Sequence, residues 1–107
     1  MLGGHPSHTL ACEELGRAAP SVRGFLPVPP GLVAGCIQEW GTAEQKRRIL
    51  PRLATGEWIG CYALTEPGAG SDAAALEATA SPAGDGYILD GEKIWITNGG
   101  IADLYTV

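Results

Sequence analysis

Cys61-Tyr62-Ala63-Leu64-Thr65-Glu66-Pro67-Gly68-Ala69-Gly70-Ser71-Asp72 divides this chain of 107 residues. The residues before it carry helical periodicity, and those after it alternate as strands do. Residues 59–64 form a short apolar run suited to a strand, after which Thr65-Glu66-Pro67 opens a loop holding two glycines and a hydroxyl. Pro67 fixes φ and gives up a donor. Gly68 and Gly70 let the backbone approach a ligand with no Cβ in between. Backbone N–H groups facing inward, with the Ser71 hydroxyl, suit the oxygens of a polyanion without any basic side chain. The same residues also make an ordinary strand-to-loop exit, and taken alone they favour that plainer turn.

A second stretch, Gly91-Glu92-Lys93-Ile94-Trp95-Ile96-Thr97-Asn98-Gly99-Gly100, follows after an interval long enough for one hairpin. Read as a strand, residues 92–97 place Trp95 and Thr97 on the same side, an indole plane beside a hydroxyl. Such a pair is commonly just a core tryptophan next to a strand threonine. It also suits a flat heterocycle, with the ring packed on the indole and one ring nitrogen bonded to the hydroxyl.

Together the two stretches resemble the acyl-CoA dehydrogenase family, whose middle β-domain carries a Leu-Thr-Glu-Pro-x-Ala-Gly-Ser-Asp run and a Trp-Ile-Thr-Asn-Gly run along its FAD site. Two long matches in the right order are a specific signal. Upstream, Gly3-Gly4 and Glu13-Glu14-Leu15-Gly16-Arg17-Ala18 resemble a helix of the family's N-terminal helical domain. The resemblance implies an α+β fold, a helical segment followed by the beginning of an antiparallel β-barrel-like domain. It divides the chain into 1–58, the end of the helical domain, and 59–107, an incomplete middle domain. It assigns FAD contacts to Tyr62, Ala63, Leu64, Thr65, Glu66, Pro67, Gly68, Ala69, Gly70, Ser71, Trp95, Ile96 and Thr97, with Ser71 also touching the acyl-CoA. Glu66 is expected to act through its backbone, because its carboxylate would repel a pyrophosphate. The family reaction removes the α proton of an acyl-CoA with a carboxylate base while hydride leaves the β carbon for the flavin. That base is implied to lie beyond Val107, so no catalytic residue is assigned within the chain. The resemblance further implies a homotetramer and an electron-transferring flavoprotein as acceptor. Acyl-CoA oxidases, flavin monooxygenases or a non-catalytic remnant on the same scaffold are the alternatives.

Composition narrows the remaining classes. Seven Lys plus Arg against twelve Asp plus Glu leave a net charge of −5, which disfavours a nucleic-acid or anionic-membrane surface. No apolar run approaches the ~20 residues of a membrane helix, and the first residues lack the pattern of a signal peptide, so the expected compartment is the cytoplasm. Cys12, Cys36 and Cys61 are odd in number and widely spaced, which suggests free thiols rather than a disulfide framework or a zinc site. His5 and His8, separated by Pro6, read as surface histidines near a terminus.

Along the chain, Ser7 is placed to cap a helix over about 8–18 with Leu10, Ala11, Leu15 and Ala18 on its apolar face. Pro27, Pro29 and Pro30 interrupt the next stretch. A helix restarting near Pro30 would turn Leu32, Val33, Cys36, Ile37 and Trp40 inward. Thr42 and Gln45 form a capping box for a helix to about Leu50, where Pro51 is expected to stop it before a left-handed exit at Gly56. The cluster Lys46-Arg47-Arg48 reads as a solvated helix face ahead of a CoA contact. Residues 76–81 and 87–89 read as strands joined through 82–86. Asp90-Gly91 reads as a tight hairpin into a strand over 92–97, and 104–107 as a further strand. A chain ending inside a strand reads as a fragment.

Overall fold

The computed structural model describes residues 6–25 and 28–107. Helices come first and strands second, as periodicity predicts. Helix α1 spans Pro6–Ala18 and α2 Pro20–Phe25; a wide π turn over Val28–Val33 leads into α3, Ala34–Trp40, and α4 follows at Ala43–Thr55. The strands are β1 (Gly60–Tyr62), β2 (Thr79–Ala83), β3 (Gly86–Asp90) and β4 (Leu104–Thr106). His5 and Pro27 lie outside the described residues. Among those described, no helix is long and apolar enough to cross a membrane.

Helix α1 begins at Pro6, so Ser7 sits within its first turn rather than at its cap. Its apolar stripe is left open: no residue of α1 is buried and Leu10 is exposed. In the next stretch, the part from Pro20 to Phe25 is helical. Proline at a first helical position loses only an N–H that had no partner there, and the same holds for Pro29 and Pro30 early in the π turn. Of the predicted inner face, Val33 is fully buried and Ile37 packs beside it, but Leu32 is exposed and Trp40 is 84% exposed.

Helix α4 starts as expected. The Gln45 amide donates to Thr42 Oγ1 at 3.2 Å and the Thr42 amide to Gln45 Oε1 at 2.8 Å. It runs through Pro51 to Thr55, five residues past the predicted stop, and Gly56 takes the left-handed exit at φ 74°. Pro51 and Arg47 both lie on the exposed side, where water can serve the carbonyl left without its amide. On the opposite side Ile49 and Leu53 are buried, and that packing holds the helix through the proline.

Val33, Ile49 and Leu53 form the core, with Ile37 and Trp58 from the helical half and Tyr62 and Leu104 from the strands packed against it. The strands make two small sheets. β2 and β3 are antiparallel, pairing Thr79 with Asp90 through to Ala83 with Gly86. Their turn is Gly84-Asp85, with Gly84 at φ 61°, so the ladder takes in Pro82, Ala83 and Gly86, which the sequence reading gave to the loop. β1 and β4 are parallel, Cys61 opposite Tyr105, where an antiparallel pairing was expected. Asp103 sets this register: its amide donates to the Ile59 carbonyl at 2.8 Å and its carboxylate accepts the Ile59 amide at 2.9 Å.

Residues 92–97 are not a strand, and Asp90-Gly91 is not a hairpin turn. Asp90 is the last paired residue of β3, and Gly91, at φ 146°, passes so close to Ala78 that a Cβ would lie 2.6 Å from that residue's own. The chain then crosses back to the loop after β1. Gly60 is the other close approach, since an added Cβ would meet Val33 Cγ1 at 2.9 Å. Gly60→Ala is therefore expected to destabilise the fold by about 1–3 kcal/mol through overpacking. A denaturation midpoint unchanged from wild type would contradict that contact.

Candidate functional site

Each of the two motif stretches is folded into a turn, and the two are stitched to one another. In the first, Glu66 and Ala69 exchange backbone hydrogen bonds of 2.9 and 3.1 Å, closing the loop around Pro67 and Gly68. Gly68 and Gly70 face open space. Ser71 is exposed, while the Asp72 carboxylate accepts the Ala74 amide at 3.2 Å and is thereby turned to capping the short 3₁₀ turn of 73–75. Ala63 and Ala69 are buried, and Tyr62, Leu64 and Thr65 are half-buried.

In the second stretch, Ile94 donates its amide to the Thr65 carbonyl at 2.9 Å. Lys93 Nζ donates to the Leu64 carbonyl at 3.0 Å and to Glu66 Oε1 at 2.7 Å. Trp95 then takes φ 57° and Asn98 φ 69°. Trp95 and Thr97 thus do not alternate on a strand face, as the sequence suggested, but lie in a turn. Both are exposed, Trp95 at 87%, and Ile96 between them is half-buried. Asn98 Nδ2 closes the turn on the Gly60 carbonyl at 3.2 Å.

Glu66 is the buried charge of the site. Its side chain, 6% exposed, accepts the Lys93 ammonium and the amides of Glu77 at 2.7 Å and Ala78 at 3.0 Å. The carboxylate is therefore turned inward, tying the loop to the two residues that lead into β2. The Lys93 hydrogen bond first, then the Glu77 amide, lower its pKa from the ordinary 4.5 to about 2, against a smaller opposing push from burial. A depressed carboxylate stabilises the fold fully above its unfolded value, and that contribution is lost as pH falls from about 4.5 toward 2. Glu66→Gln, which cannot titrate, is expected to lower stability at pH 7 and to flatten its fall across that window. Denaturation midpoints measured at several pH values in both proteins check this; parallel curves would contradict it.

The neighbouring cleft, about 340 Å³, is lined by Glu77, Asp90 and Glu92 beside Pro67 and Gly68. This acidic rim repels phosphate. An anion at the loop would have to be met on another side, by its amides and Ser71. Cys61 is buried, which raises its thiol pKa and makes it inert. Cys12 and Cys36 are also free. Among the described residues no acid, His or Cys cluster is arranged to hold a metal. The parts that sequence reasoning missed are Lys93, Asn98 and the Glu66 carboxylate. No local pattern signals a pairing of residues 27 positions apart.

Comparison with known proteins bears on this arrangement. The model of the acyl-CoA dehydrogenase N-terminal domain matches residues 2–57, and that of the middle domain matches 61–107. This chain belongs to the acyl-CoA dehydrogenase family. The short-chain specific acyl-CoA dehydrogenase of Clostridium acetobutylicum is 45% identical over 101 residues, covering 94% of this chain and 27% of that protein. The crystal structure of glutaryl-CoA dehydrogenase from Mycobacterium smegmatis superposes with a TM-score of 0.88 at 43% identity, over 94% of this chain and 26% of the other. A structure of a glutaryl-CoA dehydrogenase from the same organism in complex with FADH2 gives 0.86 at 46%, over 92% and 25%. The chain therefore spans about a quarter of the length of these relatives. Helices followed by strands, with a small antiparallel sheet, agree with this family's fold.

Proposed function

We propose that this chain is the flavin-facing part of an FAD-dependent acyl-CoA dehydrogenase, comprising the end of a helical domain (1–58) and the start of a middle domain (59–107). The observation that carries the proposal is the stitching of the two motif stretches. It holds the turn that carries Trp95 and Thr97, both exposed, against residues 60–66, the stretch that leads into the glycine loop. A bulky indole left outside the core and held in a left-handed conformation is suited to packing against a flat ring. The relative solved with FADH2 supports the same cofactor here.

When bound, FAD would accept the hydride from the β carbon of an acyl-CoA whose α proton goes to a carboxylate base. That base would come from outside this chain. Tyr62 to Thr65 and the loop 66–71 would hold the cofactor, Glu66 through its backbone alone because its carboxylate is committed to Lys93. Ser71, exposed at the loop's end, would serve both flavin and acyl-CoA. Trp95 and Ile96 would cover the flavin ring, and the Thr97 hydroxyl would donate to it. An electron-transferring flavoprotein as acceptor, a tetramer and a cytoplasmic location complete the proposal on the strength of the family.

The test uses the full-length protein that carries this chain. FAD content after purification and bleaching of the flavin by an acyl-CoA under anaerobic conditions are the readouts, and a protein that takes up no FAD would sink the proposal. Thr97→Ala is expected to keep the FAD and slow its reduction by a barrier of about 1–3 kcal/mol, roughly 5- to 150-fold. An unchanged reduction rate would remove Thr97 from the site. Rapid reoxidation by oxygen in place of a dye acceptor would favour an oxidase on the same scaffold.

A further inference from the structure

We propose that Lys93 and Asn98 are positioning residues that clamp the 94–97 turn at both ends, and that this clamp presents Trp95 and Thr97 to the flavin. The inference rests on the functional reading above and adds to it two residues that act through the backbone of the turn.

The turn cannot hold itself. A tryptophan at φ 57° occupies a region that bulky side chains normally avoid. Trp95 is 87% exposed in this chain, so no packing of its side chain within the chain fixes it. Backbone strain of this kind persists only where surrounding contacts over-determine it. Here they come at both ends. Before Trp95, Lys93 Nζ reaches the Leu64 carbonyl and Glu66, and the Ile94 amide reaches the Thr65 carbonyl. After Thr97, Asn98 Nδ2 reaches the Gly60 carbonyl, and the Gly99 amide closes on the Ile96 carbonyl at 2.9 Å. Apart from that last bond within the turn, every acceptor lies on one continuous stretch, 60–66, so the turn stands over it like a handle.

The two clamps differ in kind. Asparagine tolerates the left-handed region, so φ 69° at Asn98 costs little while its amide ties the exit down. The Lys93 side chain is only 17% exposed, and its ammonium is committed to Glu66 and Leu64 rather than offered to a phosphate. Glu66 is itself fixed by the amides of Glu77 and Ala78. Lys93 therefore grips a point already anchored to another segment, residues 77–78.

The experiment compares Lys93→Met, Lys93→Arg and Asn98→Asp with wild type in the full-length protein. Asn98→Asp removes the donor while keeping a residue that tolerates positive φ. In the cofactor-free protein, hydrogen exchange of the Ile94 and Gly99 amides is expected to accelerate about ten-fold or more in Lys93→Met and Asn98→Asp, with α4 amides unchanged. FAD affinity, read by titration, is expected to fall about ten-fold in both, with most of it restored by Lys93→Arg. Unchanged exchange at Ile94 and Gly99 overturns the clamp, and so does equal acceleration throughout α4, which would make these residues general stabilisers. Faster exchange with FAD affinity within about two-fold of wild type overturns the positioning role. A wild-type protein that takes up no FAD overturns the functional reading instead, while the exchange measurement still decides the clamp.

Discussion

Trp95→Ala is expected to leave the fold of this chain unchanged and to cost the full-length protein most of its hold on FAD. The two halves of that expectation have different physical sources. Within this chain Trp95 is 87% exposed, and in the chain by itself a surface truncation away from caps and buried groups changes stability by no more than about 0.5 kcal/mol. Alanine inherits the same φ of 57°, so no backbone strain is released. With a flavin packed against it, the ring loses its water. Burying a large aromatic side chain contributes about 1.5–3 kcal/mol, a factor of about 10 to 150 in dissociation constant. Chemical denaturation of this chain carrying the substitution and FAD titration of the full-length variant separate the two. Lower stability with unchanged FAD affinity would make the indole a structural residue and remove it from the site.

Ile49→Ala carries the largest stability effect we expect. Ile49 is 4% exposed, and the cluster it forms with Val33 and Leu53 is where α4 meets the strands: Tyr62 of β1 and Leu104 of β4 pack on the same cluster as Ile37 and Trp58. Truncating a buried isoleucine costs about 2–5 kcal/mol, the lost transfer term plus the cavity. Because both layers line that cavity, the loss should appear together in helical circular dichroism and in the exchange of β1 and β4 amides. Leu10→Ala on the open stripe of α1 is the control, expected to change stability by no more than about 0.5 kcal/mol. Equal effects from the two substitutions would mean that Ile49 contributes no more to the core than an exposed leucine.

What the sequence determined by itself are the features whose partners lie within a few residues of each other. Thr42 and Gln45 are three apart and sit in the capping box read from them; Gly56 ends α4 in the left-handed conformation a helix exit asks of a glycine. The change from helical to alternating periodicity placed the seam between helices and strands, and two long motifs marked the stretches that the fold brings together. Tertiary structure decided the rest. Pro51 by local rules stops a helix, yet the burial of Ile49 and Leu53 on the far side carries α4 through it. The pairing of β1 with β4 is parallel because Asp103 docks on Ile59, 44 residues away. Trp95, Ile96 and Thr97 are aromatic and β-branched residues that suit a strand, so the sequence pattern alone does not distinguish a strand from the turn they form. That choice is made by Lys93, Ile94 and Asn98 reaching back to residues 60–66. These contacts join positions about 30 to 40 apart in the chain. Local propensity carries no record of such distances, and only closing the chain on itself brings the partners within reach.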